Sequence, residues 1–408
     1  MAEPVHPALM QALAARQRIP KDATAALHLG RVLAELGRMD EAETALRDAV
    51  HLKRDFAEAR FDLAQHLHRT GKLDEAETIF RALAREMPGV HMKIALGAVL
   101  IDRGRPGDGE TILRRALGET SDPGLTAQIQ LNLGTALRRQ RKDTDALAAA
   151  DAARRHAPSS ALAELHRAEA LENLGRADEA VATIGGLLAR APADPGLHHA
   201  YNDLLYRLGR DDDFLKSYDR AAPNRPLLLG KAHFLALAGR HGEAHDIYRR
   251  LLAQDAHDPI AAPGACRALV ALNRPGEASA AFDALLTRPG IDPTVFSQAA
   301  EAALLAGDPH KAAHLCNQGL ARAPLNGACL AMLGTAWRLL EDERDEILSG
   351  YDTLVRAIDL EPPDGFSSMD DFNAELDASL DRLHPGRREF LGQSLRGGTQ
   401  TPASLFGA

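Results

Sequence analysis

The chain has 408 residues, a net charge of −9 and only 11 Phe, 5 Tyr and 1 Trp. The negative charge argues against a general nucleic-acid binder. No apolar run approaches the roughly 20 residues that cross a bilayer, so no membrane partner is expected. The N-terminus lacks the pattern of a secretory signal, which favours a cytoplasmic location. The 75 alanines predict many closely packed helices, because alanine is a strong helix former.

The first 22 residues are predicted to form an N-terminal capping helix, since terminal repeats of a stacked array need a polar outer face. From position 36 onward the phrase Leu-Gly-Arg-x-Asp-Glu-Ala recurs with a period near 34 residues. Two glycine separations are close to double that period, which predicts that one turn glycine is replaced in each. The turn glycines are Gly37, Gly71, Gly104, Gly175, Gly209, Gly239 and Gly307.

Small residues recur at two positions of this period, as close contact between paired helices requires. The first helix of each pair carries Gly30, Ala64, Gly97, Gly134, Ala168, Ala232, Cys266, Ala300 and Gly334. The second helix carries Ala42, Ala76, Gly109, Ala146, Ala180, Ala244, Ala278 and Ala312. Cys266, Cys316 and Cys329 form no C-x-x-C pair and are interpreted as buried core residues.

Proline and aspartate residues predict where the helices of the repeats begin and end. Closing prolines are predicted to stop the second helices at Pro88, Pro158, Pro192 and Pro324. Four Asp-Pro pairs predict helix starts with Asp as N-cap, at Asp122, Asp194, Asp258 and Asp292. The sixth repeat, 195–224, has Asn202 and Phe214 where small residues belong, and a local kink is expected there.

Over residues 23–326 these features resemble the tetratricopeptide repeat family, whose repeat is a helix-turn-helix of 34 residues. The resemblance implies an all-α, right-handed solenoid of about nine to ten repeats over 23–340, with a short non-repeat C-terminal extension. It also implies a protein or peptide ligand in a concave groove lined by the first helices.

Groove candidates are Asn132, His166, His199 and His233. The alternative is that the three histidines are isolated surface or core residues. A carboxylate clamp of the kind this family uses would need a row of lysines, which the sequence lacks. A histidine-lined groove tuned by pH is the other possibility. One H-x-E pair, His241 and Glu243, falls in a repeat turn and is not expected to bind metal.

Residues 341–367 are predicted to form the last helices and a linker, and apolar spacing predicts a helix over 368–384, capped by Ser368. The segment from Tyr351 resembles the beginning of a putative 2-oxoglutarate/Fe(II)-dependent oxygenase domain that follows such repeats in bacterial proteins. The motif residues for 368–408 are Phe372, Asn373, His384, Gln393, Arg396, Gly397, Gly398, Thr399, Gln400 and Thr401.

The sequence departs from that family after Thr401, because no His-x-Asp and no distal His follow. No catalytic, cofactor-binding or metal residue is therefore assigned. Fe(II) and 2-oxoglutarate are expected only with a domain missing from this chain. The segment 368–408 is interpreted as a truncated start of that domain, and 385–408 as extended or disordered.

Four functions stay open. The first is an interaction module that recruits substrate for the missing oxygenase domain. The second is a full-length 2-oxoglutarate/Fe(II)-dependent protein hydroxylase. A sulfotransferase- or glycosyltransferase-linked repeat protein is a third, although no phosphate-cradling loop is present. A purely structural scaffold cannot be separated from the first by sequence.

Overall fold

The computed structural model describes residues 6–288 and 290–383, and within these ranges all regular structure is α-helical, which confirms the expected all-α class. The chain divides into two compact units, with the boundary after Leu187. Unit 1 contains α1 Pro7–Arg18, α2 Ala23–Glu35, α3 Met39–Leu52, α4 Ala57–Arg69, α5 Leu73–Glu86, α6 Val90–Asp102, α7 Pro106–Leu117, α8 Pro123–Arg139, α9 Asp143–His156, α10 Ala161–Asn173 and most of α11 Ala177–Arg190.

Unit 2 continues the helical pairs and ends in shorter elements. Its helices are α12 Pro195–Arg207, α13 Lys216–Arg220, α14 Arg225–Leu237, α15 His241–Gln254, α16 Ala261–Ala271, α17 Pro275–Leu286, α18 Thr294–Leu305, α19 Pro309–Arg322, α20 Gly327–Leu339, α21 Asp345–Ser349, α22 Tyr351–Leu354 and α23 Met369–Leu383.

Each first helix of a pair, called here the A helix, ends in the same left-handed turn. All seven predicted turn glycines have φ between 69° and 82°. The two replaced glycines are Arg141 and Asn273, which adopt φ of 60° and 57°. The residue after each turn donates its backbone N–H to a carbonyl five residues back, as Arg38 does to Leu33 at 2.9 Å. This is the Schellman closure of a helix C-terminus, and it explains why the period is read so clearly from glycine.

The rest of the recurring phrase caps the second, or B, helix. An arginine directly before the B helix donates two hydrogen bonds to a glutamate three residues on, with closest N–O distances of 2.6–2.7 Å. The acidic group also lies in the first turn, where the helix dipole favours negative charge. The pairs are Arg38–Glu41, Arg176–Glu179, Arg240–Glu243 and Arg274–Glu277.

The small residues of both series are buried, as close helix packing predicts. Glycine is required at some of them. A Cβ on Gly97 would stand 2.8 Å from Leu113 Cγ, and one on Gly30 would stand 2.7 Å from Leu46 Cγ. Where the opposing side chain is small, the space is larger, and a Cβ on Gly134 would meet nothing nearer than 3.8 Å. The three cysteines are free and buried, as expected.

Helix ends follow the prolines and two of the four Asp-Pro pairs. The four closing prolines each lie two residues beyond the end of a B helix. Asp122 and Asp194 cap α8 and α12 through side-chain hydrogen bonds. The prediction was wrong for the other two. Asp258 accepts from the N–H groups of Ile260 and Ala261, as Asp194 does from the equivalent groups, but α16 begins two residues later than expected. Asp292 accepts from Thr294, where α18 begins.

The sixth repeat differs from the others through a buried polar network. Asn202 is fully buried on α12, and its amide donates to the His198 carbonyl at 2.8 Å and to Ser217 Oγ at 2.7 Å. Its Oδ1 accepts the backbone N–H of Leu215 at 2.7 Å. Leu215 has a left-handed φ of 69°, and α13 behind it is only five residues long. Asn202 therefore fixes an irregular turn in place of a second long helix.

His198 completes this network. Its Nε2 lies 3.0 Å from the carbonyl oxygen of Pro192, which can only accept, so Nε2 carries the proton. Nδ1 then accepts from the Ser217 hydroxyl at 3.0 Å. The imidazole also stacks on Tyr218 with ring centroids 4.8 Å apart. Every polar atom of this imidazole is satisfied inside the protein.

The sequence suggested that the repeat period ends near residue 340, but the structure continues it beyond that point. Glu341 is again in register, with φ of 54°, and Asp342 N–H closes the turn on Trp337 at 2.9 Å. The following α21 is short, and residues 355–366 contain no helix and are almost all exposed. The predicted C-terminal helix is present as α23, where Ser368 Oγ accepts the Asp371 N–H at 3.1 Å. The segment 385–408, predicted to be extended or disordered, lies outside the described residues.

Candidate functional site

The A helices of unit 1 line two adjoining clefts, which together are called the unit 1 groove. The first has a volume of about 530 Å³ and is bordered by α2, α3 and α4. The second, of about 260 Å³, is bordered by α4, α5, α6 and α8. Gln65 and His68 line both clefts, so the groove is continuous. Asn132, predicted from sequence as a groove residue, lies at its α8 end.

Most charged groups around the unit 1 groove are paired across neighbouring repeats. Arg31 on α2 donates to Asp62 at 2.5 Å and to Glu58 at 2.7 Å, both on α4. His68 on α4 and Arg139 on α8 both contact Asp102 on α6 at 2.7 Å. These contacts neutralise the groove charges and hold adjacent repeats in register.

Three carboxamides in the groove are uncommitted. Among the described residues, no intramolecular hydrogen bond engages the side chains of Gln65, Gln128 or Asn132. A carboxamide offers two N–H donors and a carbonyl acceptor, which matches the N–H and C=O of a peptide backbone. The groove thus presents neutral hydrogen-bonding groups beside charges that are already compensated.

His66 lies beneath the first cleft and is 2% exposed. Neither ring nitrogen has a hydrogen-bond partner, and the nearest carboxylate oxygen, of Glu43, is 3.9 Å from Nε2. Burial first and the charge of Arg69 second hold the pKa of His66 below its usual value. The imidazole is therefore neutral near pH 7 and contributes no charge to the groove.

His166 lies one repeat beyond Asn132 but does not line either cleft. Its ring packs on Gly134, and Nδ1 is buried without a partner. Burial and then the neighbouring Arg138 lower the pKa of His166 to about 4. The structure thus favours the interpretation of His166 as a packed, neutral residue over that of a groove ligand.

His199 and His233 come together in unit 2, on α12 and α14. Their rings flank Phe234, with centroids 4.8 Å and 6.0 Å from its ring. Burial first, then the charges of His199 and Arg267, lower the pKa of His233. Arg267, on α16, was missed in the sequence, although it lies one period after His233. These three exposed residues are called the basic row.

The oxygenase-like motif is only partly described. Phe372 and Asn373 lie on α23, and the Phe372 ring meets Phe366 edge to face at 5.2 Å. The remaining motif residues, from His384 to Thr401, lie outside the described residues. Within the described part of the chain, no three His, Cys, Asp or Glu side chains group closely enough to hold a metal ion.

The helical pairs, left-handed turns and small-residue contacts together define a repeat protein. The tetratricopeptide repeat family model matches residues 6–55, 40–91, 94–161 and 131–195. Residues 6–195 therefore carry tetratricopeptide repeats, which are found in protein-interaction scaffolds. No curated protein sequence matches it. Across the described residues, no helix is long and apolar enough to cross a membrane.

Several solved structures are similar to parts of the chain. A tetratricopeptide repeat protein from Parabacteroides merdae shares 18% identity over 60% of this chain and 98% of its own, with a TM-score of 0.39. The protein TTC0263 of Thermus thermophilus shares 23% over 45% and 99%, with a TM-score of 0.40. YrrB, described as having an unusual peptide-binding site, shares 19% over 47% and 98%, with a TM-score of 0.35. No ligand of this chain follows from these similarities.

Proposed function

We propose that the chain is a cytoplasmic interaction scaffold whose unit 1 groove binds an extended segment of a partner protein. The observation that carries this proposal is the continuous groove with three uncommitted carboxamides. Gln65, Gln128 and Asn132 can bond the backbone of a bound segment without breaking any contact in the free protein. The paired charges around them require no opposite charge from the ligand.

The test is selection of peptides from a random library on the full chain, followed by calorimetric titration of the best binder. Asn132→Ala should weaken binding by about two- to tenfold, the usual effect of one lost hydrogen bond. Asn317→Ala is the matched control, since that side chain is exposed on α19 and bonds its own helix. Equal binding by wild type and Asn132→Ala would contradict the assignment of the groove.

Recruitment of substrate for a 2-oxoglutarate/Fe(II)-dependent oxygenase domain is a second proposal. It is supported by the sequence motif from Tyr351 and by the helix α23, which carries Phe372 and Asn373. The described residues do not fit an iron centre. Titration of the chain with Fe(II) and 2-oxoglutarate should therefore show no binding, whereas stoichiometric binding would place the oxygenase function in this chain.

A further inference from the structure

The basic row in unit 2 differs from the charges of the unit 1 groove because it has no acidic partners within the described part of the chain. His199, His233 and Arg267 are exposed on three successive A helices, α12, α14 and α16. Among the described residues, no carboxylate lies within ion-pair distance of any of them. The one side-chain hydrogen bond that Arg267 makes to the residues described here is donated to the neutral Gln298 amide oxygen, at 3.3 Å.

The contrast between basic residues with and without a carboxylate partner is also seen within a single helix. Arg225 and Lys231 also lie on α14, and each has a carboxylate partner, Asp258 at 2.6 Å and Asp219 at 2.5 Å respectively. His233, two residues after Lys231, has none. The missing partners are therefore a property of this face of α14 rather than of the helix as a whole.

The basic row lacks electrostatic compensation in the free protein. Burial first, and then repulsion by His199 and Arg267, disfavours the charged form of His233. The chain as a whole has a net charge of −9, so the basic row is a local patch of basic groups in a negatively charged protein. A ligand that brings negative charge to the row relieves the repulsion and gains favourable contacts, which is the condition for charge complementarity at an interface.

We propose that the basic row binds an acidic segment of a partner protein, with Asp or Glu at about every third residue. Neighbouring packed helices are roughly 8–10 Å apart. In a polyproline II segment every third side chain lies on the same face, and three residues span roughly 9 Å. One carboxylate can therefore reach each A helix in turn. A nucleic acid fits less well, because its dense phosphate charge would be repelled by the overall negative chain.

The proposal implies a proton-linked affinity. A carboxylate beside His233 favours its charged form and raises the pKa that burial, His199 and Arg267 lower in the free protein. Binding then takes up a proton, so affinity rises as the pH falls from 7.5 to 5.5. Glutamate, with an ordinary pKa of about 4.3, keeps its charge over this range.

The test uses the full chain and a fluorescein-labelled peptide of four Glu-Gly-Ser repeats, followed by anisotropy at low salt and pH 6.5. A Gln-Gly-Ser peptide of equal length is the neutral control. We expect the glutamate peptide to bind and the glutamine peptide not to bind. The double variant His233→Gln/Arg267→Gln should weaken binding about tenfold, as expected for two lost exposed charge contacts, and should reduce the pH dependence.

The matched control is Arg249→Gln/His257→Gln, which removes the same residue types from exposed positions of unit 2 outside the row. It should bind the peptide as wild type does, apart from a small uniform effect of net charge. Equal affinity for the two peptides, or equal losses in both double variants, would overturn the proposal. Tighter binding of a single-stranded oligonucleotide than of the glutamate peptide would also overturn it. Asn132→Ala should leave this binding unchanged, so the result is independent of the unit 1 groove.

Discussion

At the scale of single residues, close packing of the helices in this chain depends on glycines, which have no side chain. Gly97 and Gly134 occupy equivalent positions of two A helices, and both are buried. They differ in what lies opposite: a Cβ on Gly97 would stand 2.8 Å from Leu113 Cγ, whereas one on Gly134 would have the Ala146 carbonyl oxygen and His166 Nδ1 as its nearest atoms, both at 3.8 Å. The same residue type in the same repeat position therefore has a different tolerance to substitution.

This difference gives a direct prediction. Gly97→Ala should lower the free energy of unfolding by about 1–3 kcal/mol, because the new Cβ overpacks against Leu113. Gly134→Ala should leave stability unchanged or raise it by up to about 1 kcal/mol through helix propensity. Urea denaturation followed by circular dichroism measures both. Equal effects of the two substitutions would show that the close contact at Gly97 is not limiting.

At the scale of elements, much of the fold could be read from the sequence because its determinants are local. The turn glycines specify a left-handed residue, and a left-handed residue ends a helix. The period alone predicted that two turn glycines are replaced, and the structure identifies the replacing residues as Arg141 and Asn273. The continuation of the period at Glu341 was missed because glutamate gives no local signal for a positive φ.

The sixth repeat shows where prediction from local sequence patterns fails. Asn202 was recognised as out of place, but its partner is the N–H of Leu215, thirteen residues away, in a turn that no local pattern specifies. The basic row was missed in part for a similar reason. The absence of acidic partners around Arg267 is a property of three packed helices and cannot be seen in any one of them.

The network in the sixth repeat should be costly to break. Asn202→Ala leaves the buried Leu215 N–H without an acceptor and should destabilise the chain by about 2–3 kcal/mol. Asn173→Ala is a suitable comparison, because that exposed side chain bonds only Asp143 at the surface, and its loss should cost less than about 0.5 kcal/mol. Urea denaturation distinguishes them, and a small effect of Asn202→Ala would mean that water replaces the lost contact.

At the scale of the whole molecule, stability is distributed among local cores. The described apolar residues form separate clusters, two of them within α2–α6 and α6–α10 and others within α13–α16 and α16–α20. In such an array each repeat interacts with its neighbours only, so a local defect stays local.

Hydrogen exchange read by mass spectrometry tests this picture. Gly97→Ala should increase exchange in α6 to α9, around its own cluster, and leave α18 to α20 unchanged. The distant helices serve as the internal control in the same sample. A uniform rise in exchange across all helices would indicate that the chain unfolds as one cooperative body instead.

The left-handed turns also bear on how such a gene can change. Each turn closes one helix and positions the next through backbone bonds that require little of the side chain, as Arg141 and Asn273 show. Insertion of a single residue within a helix would rotate the later side chains of that helix by about 100°, away from their partners. Exchange from one turn to the next keeps the phase of every helix, so unequal recombination can lengthen or shorten this array in steps of a whole repeat.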